Sequence, residues 1–161
     1  MKKIQYLFVL LISFLSCNTE TPTQFSEEVL NDVFITLDGD SIVFKDILEN
    51  HKNQDLVIDI WASWCGDCIE GLPKLKALQN EYTDVTYIFL SLDRTEKAWK
   101  NGVKKYKIDG QHYFMKSGWN GAFGNFVDLD WIPRYMVVDK TGTIKLFEAT
   151  KADDKRIKEN L

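Results

Sequence analysis

The chain has 161 residues, 45% hydrophobic and 13% aromatic, with a formal net charge of −4. That length suits one domain, and that apolar content supports a packed core and excludes a disordered chain. Acids and bases are interspersed in an acidic whole, which excludes the basic face that a nucleic-acid partner requires.

The first residues stand apart from the fold. Met1-Lys2-Lys3 is a positive start, Ile4 to Leu15 is apolar apart from Gln5 and Ser13, and Asn18 to Gln24 is polar. This is the pattern of a secretory signal, with an apolar run shorter than the ~20 residues of a membrane-spanning helix. Phe14-Leu15-Ser16-Cys17 resembles a bacterial lipobox, with Phe14 where leucine is usual. Residues 1–16 are therefore expected to be cleaved before Cys17, and Cys17 to carry lipid. Ordinary cleavage with Cys17 as a bystander is the plainer alternative. An exported chain with three cysteines has an odd one, and lipid on Cys17 leaves Cys65 and Cys68 as a pair. Cleavage removes Lys2 and Lys3 and no acid, which moves the net charge from −4 to about −6.

Residues 17–30 are polar, contain Pro22 and read as a flexible tether to a domain over 31–161. Val33 to Leu37 alternates as a strand, Asp38-Gly39 signals a hairpin turn, and Ile42 to Phe44 returns as a second strand. Lys45 to Asn50 fits a helical turn. Leu56 to Trp61 is apolar except for Asp59, as in a central strand buried on both faces. Cys68 to Asn80 has helical spacing, Val85 to Leu92 is another buried strand, and Thr95 caps a helix running to about Tyr106. Residues 109–131 hold four glycines and read as a loop with a short helix. Arg134 to Val138 and Thr143 to Ala149 form a hairpin around the Asp139-Lys140-Thr141-Gly142 turn, and 152–161 close the chain as a short helix. Strands alternating with helices and ending in a hairpin predict an α/β fold with a mixed central sheet and helices on both faces.

Cys65 falls between a buried strand and the mouth of a helix. Unpaired N–H groups and the positive end of the helix dipole stabilise a thiolate there, lowering its pKa from ~8.5 towards ~7. The gain in attack is small, because a less basic thiolate is also a weaker nucleophile. The larger benefit is a good leaving group, which lets mixed disulfides resolve quickly. Cys68, one turn further in, is expected to be more buried and to need a proton acceptor. Asp59, a lone carboxylate in an apolar strand six residues before Cys65, is expected to have a raised pKa and to serve in that role. Its other reading is a strand-edge residue facing water.

The stretch Asp59-Ile60-Trp61-Ala62-Ser63-Trp64-Cys65-Gly66-Asp67-Cys68, followed by Pro73, resembles the active-site segment of the thioredoxin superfamily. More narrowly it resembles the membrane-anchored TlpA/ResA-like disulfide reductases of bacteria, and Trp131 to Gly142 is similar to their proline loop and following hairpin. The resemblance implies a thioredoxin-like fold with an N-terminal β-hairpin and an insertion before the cis-proline loop. It implies a Cys65–Cys68 redox disulfide, with Cys65 as the exposed nucleophile, Cys68 as the resolving thiol and Asp59 as the buried proton acceptor. Ile132-Pro133 matches the cis-proline loop that faces the cysteines, where the Ile132 backbone can pair with a substrate strand. Trp64 is expected to shield the thiols and meet substrate, and Gly66 and Asp67 to tune them.

The pattern also departs from the family's. Asp67 stands where proline or histidine is usual. An acid in the first helical turn opposes the thiolate by ~0.3–1 kcal/mol, which makes the couple more reducing by about 6–20 mV. Phe89 occupies the place of the lysine that partners the buried aspartate. Gly71 occupies the place of a glutamate common in TlpA-like chains, and Glu70 comes one residue early.

The resulting expectation is a monomeric extracytoplasmic disulfide reductase, held by lipid on Cys17 in the cell envelope and facing the periplasm or exterior. Protein thiols would be its substrates, a membrane donor would supply electrons, and the disulfide would be its sole cofactor, with no metal. Two other classes stay open: a Cu(I)-binding module, since zinc wants four ligands and no second CxxC is evident, and a non-catalytic module with a structural disulfide. His51 and His112 lie far from the cysteines and read as surface or loop histidines. Ser117-Gly118-Trp119-Asn120-Gly121 resembles a loop of the anchored reductases, either lining a groove or simply packing.

Overall fold

The structure, a computed structural model, describes residues 21–161. The expected signal segment 1–16 and Cys17 lie outside the described residues. A short helix α1 (Glu27–Leu30) leads into a hairpin, β1 (Val33–Thr36) and β2 (Ser41–Val43), and then α2 (Phe44–Asn50). The core motif is β3 (Leu56–Trp61), α3 (Gly66–Glu81), β4 (Thr86–Ser91), α4 (Glu96–Tyr106) and β5 (Gln111–Met115). After α5 (Ala122–Phe126) come β6 (Arg134–Val138), β7 (Ile144–Ala149) and α6 (Lys155–Glu159).

The seven strands form one mixed sheet in the order β2-β1-β5-β4-β3-β6-β7. β3, β4 and β5 run parallel, while β6 runs antiparallel to β3. Every residue of β3 and β6 is buried, so both faces of the sheet are covered at its centre. The mixed sheet expected from the strand–helix order is present. Gly39, at φ 98°, makes the first hairpin turn where Asp38-Gly39 signalled it. Thr95 caps α4 by accepting the Ala98 N–H at 3.2 Å.

Two expectations are corrected. Residues 109–131 are not a loop with one helix, because β5 lies inside them and joins β4 to β1. The tether expected over 17–30 does not reach residue 30. Phe25 is 9% exposed and Val29 fully buried, and Ser26 caps α1 by accepting the Val29 N–H. Phe25 packs with Phe44, Phe123 and Phe126, an aromatic cluster that Phe34 also joins and that ties the first helices to α5. Polar composition concealed this segment because its two buried residues are isolated among Thr, Glu and Ser.

Candidate active site

β3 ends at Trp61, and the loop 62–65 turns the chain into α3. Asp93 fixes that loop: its carboxylate accepts the Ser63 N–H at 3.1 Å, the Ser63 hydroxyl at 2.6 Å and the Ser91 hydroxyl at 2.9 Å. Gly102 of α4 passes so close that a Cβ there would overlap the Ser63 Cβ. The nucleophile's loop is thus held by Asp93, just past β4, and by Gly102 of α4, two residues that carry no motif.

Cys65 is the N-cap of the 16-residue α3, and its Sγ accepts the Cys68 N–H at 3.1 Å. This is the helix-mouth position expected from the sequence, and here the cap is itself the reactive atom. Cys65 and Cys68 are joined in a disulfide, with Cα atoms 5.3 Å apart. The exposure expected of Cys65 is corrected, since it is 6% exposed against 3% for Cys68. The Ile132 carbonyl oxygen lies 3.6 Å from Cys65 Sγ. Trp64, expected to shield the thiols, is 54% exposed beside them.

The Ile132–Pro133 bond is cis, as the resemblance implies, and the loop carrying it faces Cys65. Arg134 braces this loop from below. It is 2% exposed, donates from Nη1 to the Val127 carbonyl at 2.8 Å and from Nη2 to Asp130 Oδ1 at 2.8 Å. Together Trp64, Cys65, Gly66, Asp67, Trp119, Asp130, Trp131 and Ile132 line a groove of about 370 Å³.

Asp59 lies in the centre of β3 at 3% exposure, opposite Phe89 on β4 and Tyr135 on β6. The strand-edge reading is therefore excluded. Its Oδ1 has no hydrogen-bond partner, and burial pushes its carboxyl well above the usual range. Phe89 stands across from it, as expected from the sequence, and stacks on His112 at 4.9 Å. Tyr135 stands across from Asp59 on the other side. Burial and the nearby Asp59 and Asp153 charges push its phenol upward, so the hydroxyl stays neutral. That hydroxyl lies where it would meet a Gly71 Cβ at 3.5 Å, in a cavity of about 410 Å³ also lined by Asp67, Pro133 and Asp153.

Sequence reasoning did not assign roles to Asp93, Trp131, Arg134 or Tyr135. Trp131, Arg134 and Tyr135 sit within the proline segment, where a charged residue inside an apolar strand was the one available signal. Glu70 lines the second cavity and not the cysteine groove. His51 and His112 lie away from the groove, and His112 is buried in β5, not in a loop.

A thioredoxin-like family model matches residues 53–144, more than half of the chain. The chain is 30% identical to the thiol-disulfide oxidoreductase ResA of Bacillus cereus, over 67% of this chain and 68% of that protein. It is 26% identical to the thioredoxin-like protein YneN of Bacillus subtilis, over 68% of this chain and 62% of that one. Among solved structures, a putative thiol-disulfide oxidoreductase from Bacteroides vulgatus superposes with a TM-score of 0.66. It is 28% identical, and the match covers 92% of this chain and 90% of that one. With the Cys65–Cys68 disulfide at the head of α3, these matches show that the chain belongs to the thioredoxin-like family and is a thiol–disulfide oxidoreductase.

Proposed function

We propose that the protein works outside the cytoplasm as a disulfide reductase for exported proteins, anchored by lipid on Cys17. The observation that carries the redox role is Cys65 Sγ at the N-cap of α3, accepting the Cys68 N–H. That hydrogen bond and the helix dipole stabilise negative charge on Cys65 once the disulfide is opened. In the reduced enzyme, the Cys65 thiolate attacks one sulfur of a substrate disulfide. A Cys65–substrate bond forms, and the other substrate sulfur leaves as a thiolate that takes a proton. Cys68 loses its proton to Asp59 and displaces the captured sulfur, so the Cys65–Cys68 bond forms and the substrate leaves fully reduced. Two electrons pass from the enzyme dithiol to the substrate, and a membrane-bound dithiol donor restores the enzyme. Ile132 offers its backbone, Pro133 shapes the loop, Trp64 and Gly66 border the captured sulfur, and Asp67 biases the couple towards donation.

Reduction of insulin by the dithiol form tests this reading. Cys65→Ser abolishes it, and Cys68→Ser accumulates a mixed disulfide with the physiological substrate. A Cys65→Ser variant as active as the parent overturns the reading. Globomycin-sensitive processing and palmitate labelling lost in Cys17→Ala test the anchor.

A further inference from the structure

Among the described residues four large hydrophobic side chains are exposed, and two of them, Trp64 at 54% and Trp131 at 57%, rim the groove that contains Cys65. Trp119 supplies a third indole. The charged residues lining the groove are Asp67 and Asp130, with no lysine or arginine among them. Arg134 binds one oxygen of Asp130 from beneath, but its side chain is 3% exposed and that of Asp130 is 84% exposed. The pair offsets much of the Asp130 charge, so Asp67 is the groove's unpaired carboxylate and Asp130 contributes its exposed outer oxygen. The adjoining cavity, which shares Asp67 and Trp131, is mixed in charge, and there Lys74 is paired with Asp153 at 2.7 Å.

Indole faces attract cations through the ring quadrupole, and carboxylates at the rim add to that attraction. An acidic residue brought beside Cys65 would meet the Asp67 carboxylate and the outer oxygen of Asp130 with no cation exposed in the groove, which disfavours it by repulsion. We propose that this groove selects disulfides in which a substrate cysteine is flanked by lysine or arginine together with an apolar side chain. The inference deepens the reductase reading and rests on it. The cation lies between the indoles and the Asp67 and Asp130 carboxylates, the apolar neighbour covers an indole face, and the substrate sulfur meets Cys65.

Two peptide disulfides test this, identical except that lysine or glutamate flanks the cysteine next to leucine. Their rates with the dithiol enzyme are each divided by the rate with dithiothreitol, which removes intrinsic differences between the peptide thiols. The lysine peptide is expected to react about tenfold faster at low salt, with the ratio shrinking severalfold near 0.5 M salt as exposed charges are screened. Asp67→Asn and Trp131→Ala are each expected to lower the low-salt ratio, with Asp67→Asn acting on its salt-sensitive part. Equal normalised rates, or a preference for glutamate, overturn the selectivity while insulin reduction still upholds the reductase. If the enzyme reduces neither peptide nor insulin, the reductase reading itself fails.

Discussion

Asp59 meets Phe89 on one side and Tyr135 on the other, with Oδ1 unpartnered, so burial raises the proton affinity of its carboxylate, as a proton acceptor requires. Its unfolded pKa is ~3.9 and its folded pKa is higher, so the native state binds the extra proton between those values. The contribution of Asp59 to stability is complete below pH ~4 and is lost as pH rises through the folded pKa, by about 1.4 kcal/mol for every tenfold difference in proton affinity between folded and unfolded chains. Asp59→Asn should therefore raise the urea midpoint at pH 8 and change it little at pH 4. In stopped-flow trapping, the same substitution should slow release from the mixed disulfide by about 100-fold or more, the usual scale of a lost proton acceptor being about 10²–10⁴-fold. Asp59 was legible in the sequence because an acid interrupting Leu56 to Trp61 breaks a rule. Tyr135 was not, because tyrosine is an ordinary strand residue and only the β3–β6 register places it opposite Asp59. Arg134 broke a rule as visibly as Asp59 did, but its partners Val127 and Asp130 lie on a loop whose path no pattern encodes.

At the scale of elements, the loop before Cys65 is held by α4 and β4, and the proline loop by β6. Gly102→Ala trades a helix-propensity gain of ~1 kcal/mol against forced displacement of Ser63, which costs about 1–3 kcal/mol. Because the displaced residue belongs to the cysteine loop, the variant should also shift the redox midpoint measured against glutathione. Arg134→Ala leaves the Val127 carbonyl without its donor and should lower stability by about 1–3 kcal/mol in denaturant titration. β5 shows why an element can escape a sequence reading. Its first residues are Gln111 and His112, and glycines punctuate the segment that follows. The strand is held by non-local features: pairing to β4 and β1, the Phe89 stack, and the 2.9 Å bond from His112 Nε2 to the Ile108 carbonyl. His112 Nδ1 is buried without a partner, and burial lowers the pKa of this ring. Protonation would add a second N–H with no acceptor. The His112 contribution is present above its unfolded pKa of ~6.5 and is lost as pH falls through the lower folded value. This opposes the gain from Asp59 over the same range, so on going from pH 7.5 to 5 the denaturant midpoint should change more favourably in His112→Gln than in the parent.

On the scale of the whole molecule, the central β–α–β frame was legible from periodicity, whereas the aromatic joint between the first helices and α5 was not. Phe123 lies far beyond Phe25, Phe34 and Phe44 in the sequence and meets them only when the hairpin and the insertion fold over one another. Phe25→Ala should cost about 2–4 kcal/mol, because Phe25 keeps a little exposure at the rim of that cluster. Chain starts at residue 21 and at residue 31, compared by thermal unfolding, should differ by at least as much. The folded body claims still more of the amino-terminal stretch: the Thr23 carbonyl accepts the Ile144 N–H at 2.9 Å, at the beginning of the edge strand β7. Between Cys17, the lipid site we propose, and that fastening lie six residue steps, which span at most roughly 20 Å. A domain of this size is roughly 30–40 Å across. Were Cys17 lipidated as we propose, that span, shorter than the domain's own girth, would hold the enzyme at the bilayer surface, and its clients would have to come down to it.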